Sequence, residues 1–433
     1  MLNKILQLEL KILSRWILKR YQPIIVAITG SLGKSSAKEA IYLVLKNHYQ
    51  VRMSPKNYNN ELGVPLSIIG VSTGEGNFYS WLKIFLKAVN LILIKEKSYP
   101  EILILEMGAD HPGDINYLTK IAPPNIGIVT AVSHTHLQYF KNINNVKKEK
   151  QVMVENLKSR KKSALAILNY DDQITREMKT VSRVKVLSYG LQKGADLQAQ
   201  DIIFNFSHGD YELSGVHFKL NYQDSVIPVY IPQIMSESAI YAALVGAAVG
   251  IYFKLNLVDI AQTLTNFHLP PGRMNILPGL KHSFLIDDTY NSSPQAAKAA
   301  LDILSRIKID PGANKYVVLG DMLELGSYSE EDHRLLGHTF VKLGLSHLIA
   351  VGPQAMNIIK GAREAGLKDN YIWHLDKADQ VAPFLIPKLK SGDIILLKAS
   401  QGVRLEKAVK ALMAEPELAN KYLVRQSSKW LKN

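Results

Sequence analysis

The stretch Ile24–Thr29, IIVAIT, runs directly into Gly30-Ser31-Leu32-Gly33-Lys34-Ser35-Ser36 and then into a helical pattern from Ser35 to Asn47. A buried strand, a glycine turn with a lysine and a hydroxyl, and a helix thus follow one another. This order is what a phosphate-binding loop requires. Glycines let backbone N–H groups approach phosphate oxygens. Lys34 would reach the β and γ phosphates, and the Ser35 hydroxyl would ligate Mg2+. The full eight-residue pattern wants glycine at Ile28, so the match is to the shorter G-x-x-G-K-S. Read this way, Thr29, Gly30, Ser31, Leu32, Gly33, Lys34, Ser35 and Ser36 form a nucleotide site; the alternative is a chance glycine turn.

Around this loop, short aliphatic runs alternate with helical patterns, which predicts an α/β fold with a parallel sheet. EILILEM (101–107) and IGIVTAV (126–132) are continuous apolar runs, as in strands buried on both faces. Asn145 to Leu157 reads as a helix and ALAILN (164–169) as a strand. From about 197 to 231 the pattern becomes alternating hairpins, with turns at 208–210 and 221–224. Helices follow at about 236–250 and 256–267. LPPGR (269–273) is a Pro/Gly break and a linker signal. Beyond it comes a smaller doubly wound α/β alternation: FLIDD, YVVLGD, HLIAVG, YIWHL and DIILLKAS, with helices from Pro294 and Ser329. The expected division is an amphipathic helix at 1–21, a central ATP-binding domain at 22–268, a C-terminal domain at 269–415 and an uninformative basic tail at 416–433.

Two stretches are apolar enough to raise the question of a membrane. Residues 2–21 form a basic amphipathic pattern, with Ile5, Ile12 and Trp16 among its apolar positions and Lys11, Arg15, Lys19 and Arg20 between them. Residues 78–94 are more apolar but carry Lys83 and Lys87. Packing on a domain is the expected role; lying on a membrane surface is the alternative. Neither is a run of 18 apolar residues, so no spanning helix is expected. A secretory signal is not expected either.

The chain of 433 residues has no cysteine, which excludes disulfides, thiolate zinc, iron–sulfur clusters and a cysteine nucleophile. A reducing cytoplasm is the simplest compartment. Hydrophobic residues at 47% and charged residues at 21% mark a globular chain. The net charge of +14 favours polyanionic partners without choosing among them. No basic stripe with interleaved aromatics is present, so nucleic acid is not expected.

Further motifs follow the loop in order: Asn57-Tyr58-Asn59-Asn60-Glu61-Leu62-Gly63, Leu105-Glu106-Met107-Gly108-Ala109-Asp110-His111, His136-Leu137, Ile286-Asp287-Asp288-Thr289-Tyr290-Asn291, Leu319-Gly320-Asp321-Met322 with His333 after it, and Lys398-Ala399-Ser400-Gln401-Gly402. Together, from about 22 to 412, they resemble the Mur ligase superfamily. The resemblance implies ATP-dependent joining of D-alanyl-D-alanine to a UDP-N-acetylmuramoyl-tripeptide through an acyl phosphate, in peptidoglycan synthesis. It implies ATP and Mg2+ as cofactors, those two substrates as partners and a monomer. Catalytic residues would be Lys34, Lys150, His136 and Arg273. Metal ligands would be Ser35, Glu106, His136 and a carbamoylated Lys150. Arg273 and Asp288 would meet the nucleotide; Asn59, Asn60, Tyr290, Asn291, Lys398 and Ser400 would face the substrates. Taken alone, Lys150 reads as part of a solvated basic face, and the tandem asparagines read equally as a turn.

Three departures from the family pattern stand out. Only about 22 residues precede the first strand, too few for the family's uridine-nucleotide domain. Ala131 stands where the family commonly has Asn. Met235-Ser236-Glu237-Ser238-Ala239 replaces a Gly-x-His-Asn motif. These keep two alternatives open: an amide ligase for another carboxylate, such as a poly-glutamate-type polymer, and a non-catalytic ATP-binding subunit.

Overall fold

A computed structural model describes residues 2–55, 58–74, 77–133, 137–157, 164–206, 214–427 and 430. It divides into two compact units: residues 1–201, 218–229 and 240–267, and residues 202–217, 230–239 and 268–433.

The first unit is built on strands β1 (Ile24–Thr29), β2 (Val51–Met53), β3 (Ile102–Glu106), β4 (Ile126–Val129), β5 (Leu165–Asn169) and β6 (Lys185–Gly190). Three more strands, β7 (Leu197–Asn205), β8 (Gly215–Tyr222) and β9 (Ser225–Pro232), extend the sheet in the order β2-β3-β1-β4-β5-β6-β7-β8-β9. Strands β1 to β6 pair in parallel. Val26, Ala27 and Ile28 of β1 and Ile102 to Leu105 of β3 are buried, which explains their unbroken apolar runs. Strand β1 has β3 on one side and β4 on the other, with Ile28 opposite Glu106 and Thr29 opposite Val129. Strand order reverses here, and ligands of open α/β sheets bind beside such reversals.

The helices of this unit begin with α1 (Leu2–Tyr21), α2 (Lys34–Leu45), α3 (Gly63–Ile69), α4 (Phe78–Leu93), α5 (Asp114–Ile121), α6 (Leu137–Phe140) and α7 (Ile143–Glu155). The expected packing role of the N-terminal stretch holds for one face. Leu10, Ser14 and Ile17 are buried, and α1 lies against α3, α4 and α5. The hairpin expectation also holds: β8 turns into β9 over two residues, with Gln223 at φ 53°, inside the turn read at 221–224. The turn read at 208–210 lies outside the described residues.

The boundary differs from expectation. Residues 202–217 and 230–239, read as part of the central domain, group with the second unit, because Phe204 and Phe206 pack against that unit's core and Phe206 meets Phe284 edge-on at 4.8 Å.

The second unit holds β10 (Asn275–Pro278), β11 (Phe284–Asp288), β12 (Lys315–Gly320), β13 (His347–Val351), β14 (Ile372–Leu375) and β15 (Ile394–Lys398), in the order β10-β11-β15-β12-β13-β14. All pairs are parallel except β10 with β11. The antiparallel edge strand β10 was not legible, because Asn275–Pro278 is four residues long and ends in proline. Apolar clusters line both faces of this sheet.

Candidate functional site

The phosphate loop is held from behind by β4. Gly30 has φ 139°, and a Cβ there would sit 2.1 Å from Thr130 Oγ1. No other residue type fits that contact. Thr130 Oγ1 donates to the carbonyls of Thr29 and Leu32. The Ser31 amide donates to the Ala131 carbonyl at 2.7 Å, and Ser31 Oγ accepts from the Ser133 amide at 3.0 Å. Ala131 thus serves the loop through its backbone, which needs no asparagine side chain. Gly33, at φ 81°, turns the chain into α2.

Lys34 Nζ donates to the Gly30 carbonyl at 2.9 Å, arching over the loop. Ser35 Oγ donates to Glu106 Oε2 at 3.1 Å. Asn59 Nδ2 lies 3.5 Å from Glu106 Oε1, and the Asn59 carbonyl accepts from the Gly108 amide. Lys38 was missed by sequence reasoning. It is buried, 3.7 Å from Glu106 Oε2 and 2.8 Å from the Ser54 carbonyl. Its signal was its place one helical turn after Lys34 on α2.

The tandem asparagines separate in role. Asn59 lines a pocket with Gly30, Ser31, Lys34, Asp110 and Lys150. Asn60 Oδ1 instead accepts from the Leu62 and Gly63 amides and starts α3. For Asn60 these bonds favour the turn reading. Leu32 is 42% exposed, whereas Thr29 and Ser36 are buried beneath the loop.

Lys150 is 3% exposed, which corrects the reading of a solvated basic face. Burial, followed by the nearby Lys34 charge, lowers its ammonium pKa to about 7. Its neighbour Glu149 is also buried and accepts from the Gly113 and Ile115 amides at 2.7 Å each, capping α5. Lys34, Asn59 and Lys150 thereby line one crevice, and Glu106 adjoins it through its contacts with Asn59 and Ser35. His136 lies outside the described residues. Among the described residues, no group of three or more His, Asp or Glu side chains comes together. The available hydroxyl and carboxylate are hard oxygen donors, which fits Mg2+, an ion that keeps much of its water.

The second unit holds the other expected residues. Asp288 and Lys398 are register partners on β11 and β15, and Lys398 Nζ meets Asp288 Oδ2 at 2.6 Å. Lys398 is 2% exposed and also donates to the Asn291 carbonyl. Ser400 is buried, donating to the Ser292 carbonyl and accepting from the Leu323 amide. Both were expected to face substrate; both are buried and engaged in internal bonds. His333 is buried as well: its Nε2 accepts from the Met322 amide at 2.9 Å. Tyr290 is 40% exposed, and the Arg273 guanidinium lies 4.3 Å over its ring. Arg273 Nε is buried without a hydrogen-bond partner. Beneath them Asp287 is fully buried; Oδ1 accepts from Thr289 and Oδ2 has no partner. In the place of the missing Gly-x-His-Asn motif, Ser236 Oγ accepts from the Ser238 amide at 3.1 Å.

The tail also requires correction. Arg425 donates to the Thr289 and Tyr290 carbonyls and pairs with buried Glu406, which Arg404 meets from its other side. A segment read as uninformative thus ties down the β11 strand end.

Two family models match this chain. The Mur ligase middle domain covers residues 87–249, and the Mur ligase, glutamate ligase domain covers residues 272–401. The chain is 28% identical over 406 residues to the UDP-N-acetylmuramoyl-tripeptide–D-alanyl-D-alanine ligase of Buchnera aphidicola, covering 93% of this chain and 78% of that one. It is 26% identical to the ligase of the same name from Bacillus subtilis, over 90% of this chain and 76% of that one. Among solved structures, the MurF ligase of Thermotoga maritima in complex with ADP superimposes with a TM-score of 0.76 at 27% identity, covering 95% of this chain and 84% of that one. With the middle and glutamate-ligase domains matched in order along two thirds of its length, the chain belongs to the Mur ligase family.

Proposed function

We propose that this protein is an ATP-dependent amide ligase that adds D-alanyl-D-alanine to a UDP-N-acetylmuramoyl-tripeptide in peptidoglycan precursor synthesis. The observation that carries the proposal is a pocket lined by Lys34, Asn59 and Lys150, joined through Asn59 to the Ser35–Glu106 pair, in a chain similar to ligases of that name.

The chemistry follows from a poor electrophile. A carboxylate resists attack by an amine, so its oxygen first takes the γ-phosphoryl group of ATP and ADP leaves. The amine then attacks the acyl carbon, phosphate departs and the nitrogen loses a proton. Such a route demands positioning and charge neutralisation more than covalent catalysis. The loop amides and Lys34 hold the phosphates. Ser35 and Glu106 would hold Mg2+, which supplies charge compensation at the phosphoryl group when bound. Lys150, with a large neutral fraction near pH 7, would add CO2 through its amine and release a proton, giving a carbamate. That would convert a buried cation into an anion able to join Ser35 and Glu106 in holding the ion, with His136 as a further proposed ligand.

In the second unit, Arg273 and Asp288 are the proposed nucleotide contacts, and Tyr290 and Asn291 the contacts of the incoming amine. All named groups come from one chain, so a monomer suffices. The cytoplasm, which supplies ATP, is the proposed compartment. The test is phosphate release from ATP by the purified protein. Release is expected only when the muramyl-tripeptide nucleotide and D-Ala-D-Ala are both present. Release with a different carboxylate acceptor, or none with any, would sink this reading.

A further inference from the structure

Helices α1 and α4 each bury one apolar stripe and expose another. On α1, Ile5, Leu8, Ile12 and Trp16 point away from buried Leu10, Ser14 and Ile17 and are 41–57% exposed. On α4, Tyr79, Leu82, Leu86, Val89 and Leu93 recur at steps of three and four residues and are 42–73% exposed. Their opposite side, Ile84, Ala88 and Leu91, is buried. An ordinary surface helix puts polar residues on the solvent side. Here both faces are apolar, on two neighbouring helices.

The two helices are fixed to each other at their C-terminal ends. Arg20 Nη2 donates to the Leu93 carbonyl at 3.2 Å, and the Tyr21 hydroxyl donates to the Ile94 carbonyl at 3.1 Å. Tyr21 also stacks on Tyr99 with ring centroids 3.9 Å apart. The stripes therefore lie on a braced pair and not on a loose terminus. The charged residues on these helices are nearly all basic. Among the described side chains, helix α1 carries Lys11, Arg15, Lys19 and Arg20 against Glu9 alone, and α4 carries Lys83 and Lys87 with no acidic residue.

We propose that the exposed faces of α1 and α4 dock this protein on an anionic lipid bilayer, with both helices lying in the interface plane. Apolar stripes bordered by Lys and Arg, with Trp16 and Tyr79 at headgroup depth, are the chemistry of such a surface. Among the described residues no helix is long and apolar enough to cross a membrane, which leaves lying on it. A second copy is disfavoured: an isologous contact through these faces would set one basic border against another. The inference does not rest on the ligase reading, since none of these residues belongs to the candidate site.

The experiment is sedimentation of the full chain with vesicles of phosphatidylcholine alone and of phosphatidylcholine mixed with phosphatidylglycerol. The protein is expected to pellet with the mixed vesicles, less so at high salt, and with a blue shift of tryptophan emission that W16F reduces. The variant L8Q/L86Q/L93Q changes only exposed side chains and is expected to bind at least about tenfold more weakly. A second variant, R15E/K83E, keeps the apolar stripes and is expected to lose the preference for the anionic lipid. Both variants should keep the parent's denaturant midpoint, which shows that they fold. No binding to either vesicle, binding unchanged in both variants, or a stripe-dependent dimer in light scattering with no vesicle binding would each overturn the proposal.

Discussion

Ser35 and Glu106, 71 residues apart in the chain, meet where Ser35 Oγ donates to Glu106 Oε2 at 3.1 Å. The contact joins the first turn of α2 to the end of β3. If these two oxygens hold the same ion, their effects on turnover overlap. Ser35→Ala and Glu106→Gln are each expected to reduce ADP formation on the order of 10–100-fold. The double variant should lose less than the product of the two. Glutamine is the proper replacement, because it keeps the side-chain volume and an acceptor oxygen beside Ser35 and Lys38, which truncation would remove. Steady-state rates across a magnesium titration check this; independent, fully multiplicative losses would contradict it.

Lys150→Ala is expected to lose at least about 100-fold in turnover. A small carboxylic acid added to the variant should restore part of it by supplying the missing anion. The pH dependence has a definite sign. Burial and Lys34 lower the Lys150 pKa to about 7. Below that value the amine is an ammonium ion and cannot add CO2; above it, the neutral amine can. Turnover of the parent should therefore rise through about pH 7 at constant CO2. A flat profile across that value, with an active Lys150→Ala variant, removes the carbamate.

Asp287 supplies a stability test separate from activity. Burial raises its carboxyl from 3.8 to about 7. Between those values the folded state holds a proton that the unfolded state has released. Its contribution is thus fully present below the unfolded value and is lost as pH rises through the folded one, at about 1.4 kcal/mol per pH unit. Asp287→Asn keeps an acceptor oxygen for Thr289 and removes the titration. The variant should be the more stable protein at neutral pH, with the gain closing toward pH 4 in denaturant midpoints. An equal gain at both pH values would assign the effect to something other than the proton.

Arg425→Ala is expected to cost about 3 kcal/mol in denaturant unfolding, because it removes one partner of buried Glu406 and two donors from the Thr289 and Tyr290 carbonyls. Arg425→Lys should recover part of the loss but not the paired carbonyl contacts, since an ammonium lacks the guanidinium fork. No change in midpoint for Arg425→Ala would leave the tail without a structural role.

The loop, its strand and its helix were legible from local sequence. Their signals are local: apolar continuity marks a strand covered on both faces, and Gly30 and Gly33 mark backbone shapes that other residues resist. The end of β3 at Glu106 was legible for the same reason. Lys398 and Ser400 were read outward because motif residues look alike whether they face a ligand or a neighbouring strand. The register of β11 on β15 directs Lys398 to Asp288.

The amino-acid sequence by itself determined the phosphate loop, the two α/β domains, their family and the chemistry excluded by an absence of cysteine. Each depends on residue type or spacing over a few neighbours. Tertiary structure alone decided which charges are buried. It turned Lys150 from one cation among several into an amine that titrates near neutrality, gave Glu106 both Ser35 and Lys38, and made Arg425 a brace for β11. It also left apolar stripes of α1 and α4 uncovered. Burial and long-range pairing depend on where distant segments pass each other, and periodicity within one segment carries no record of that.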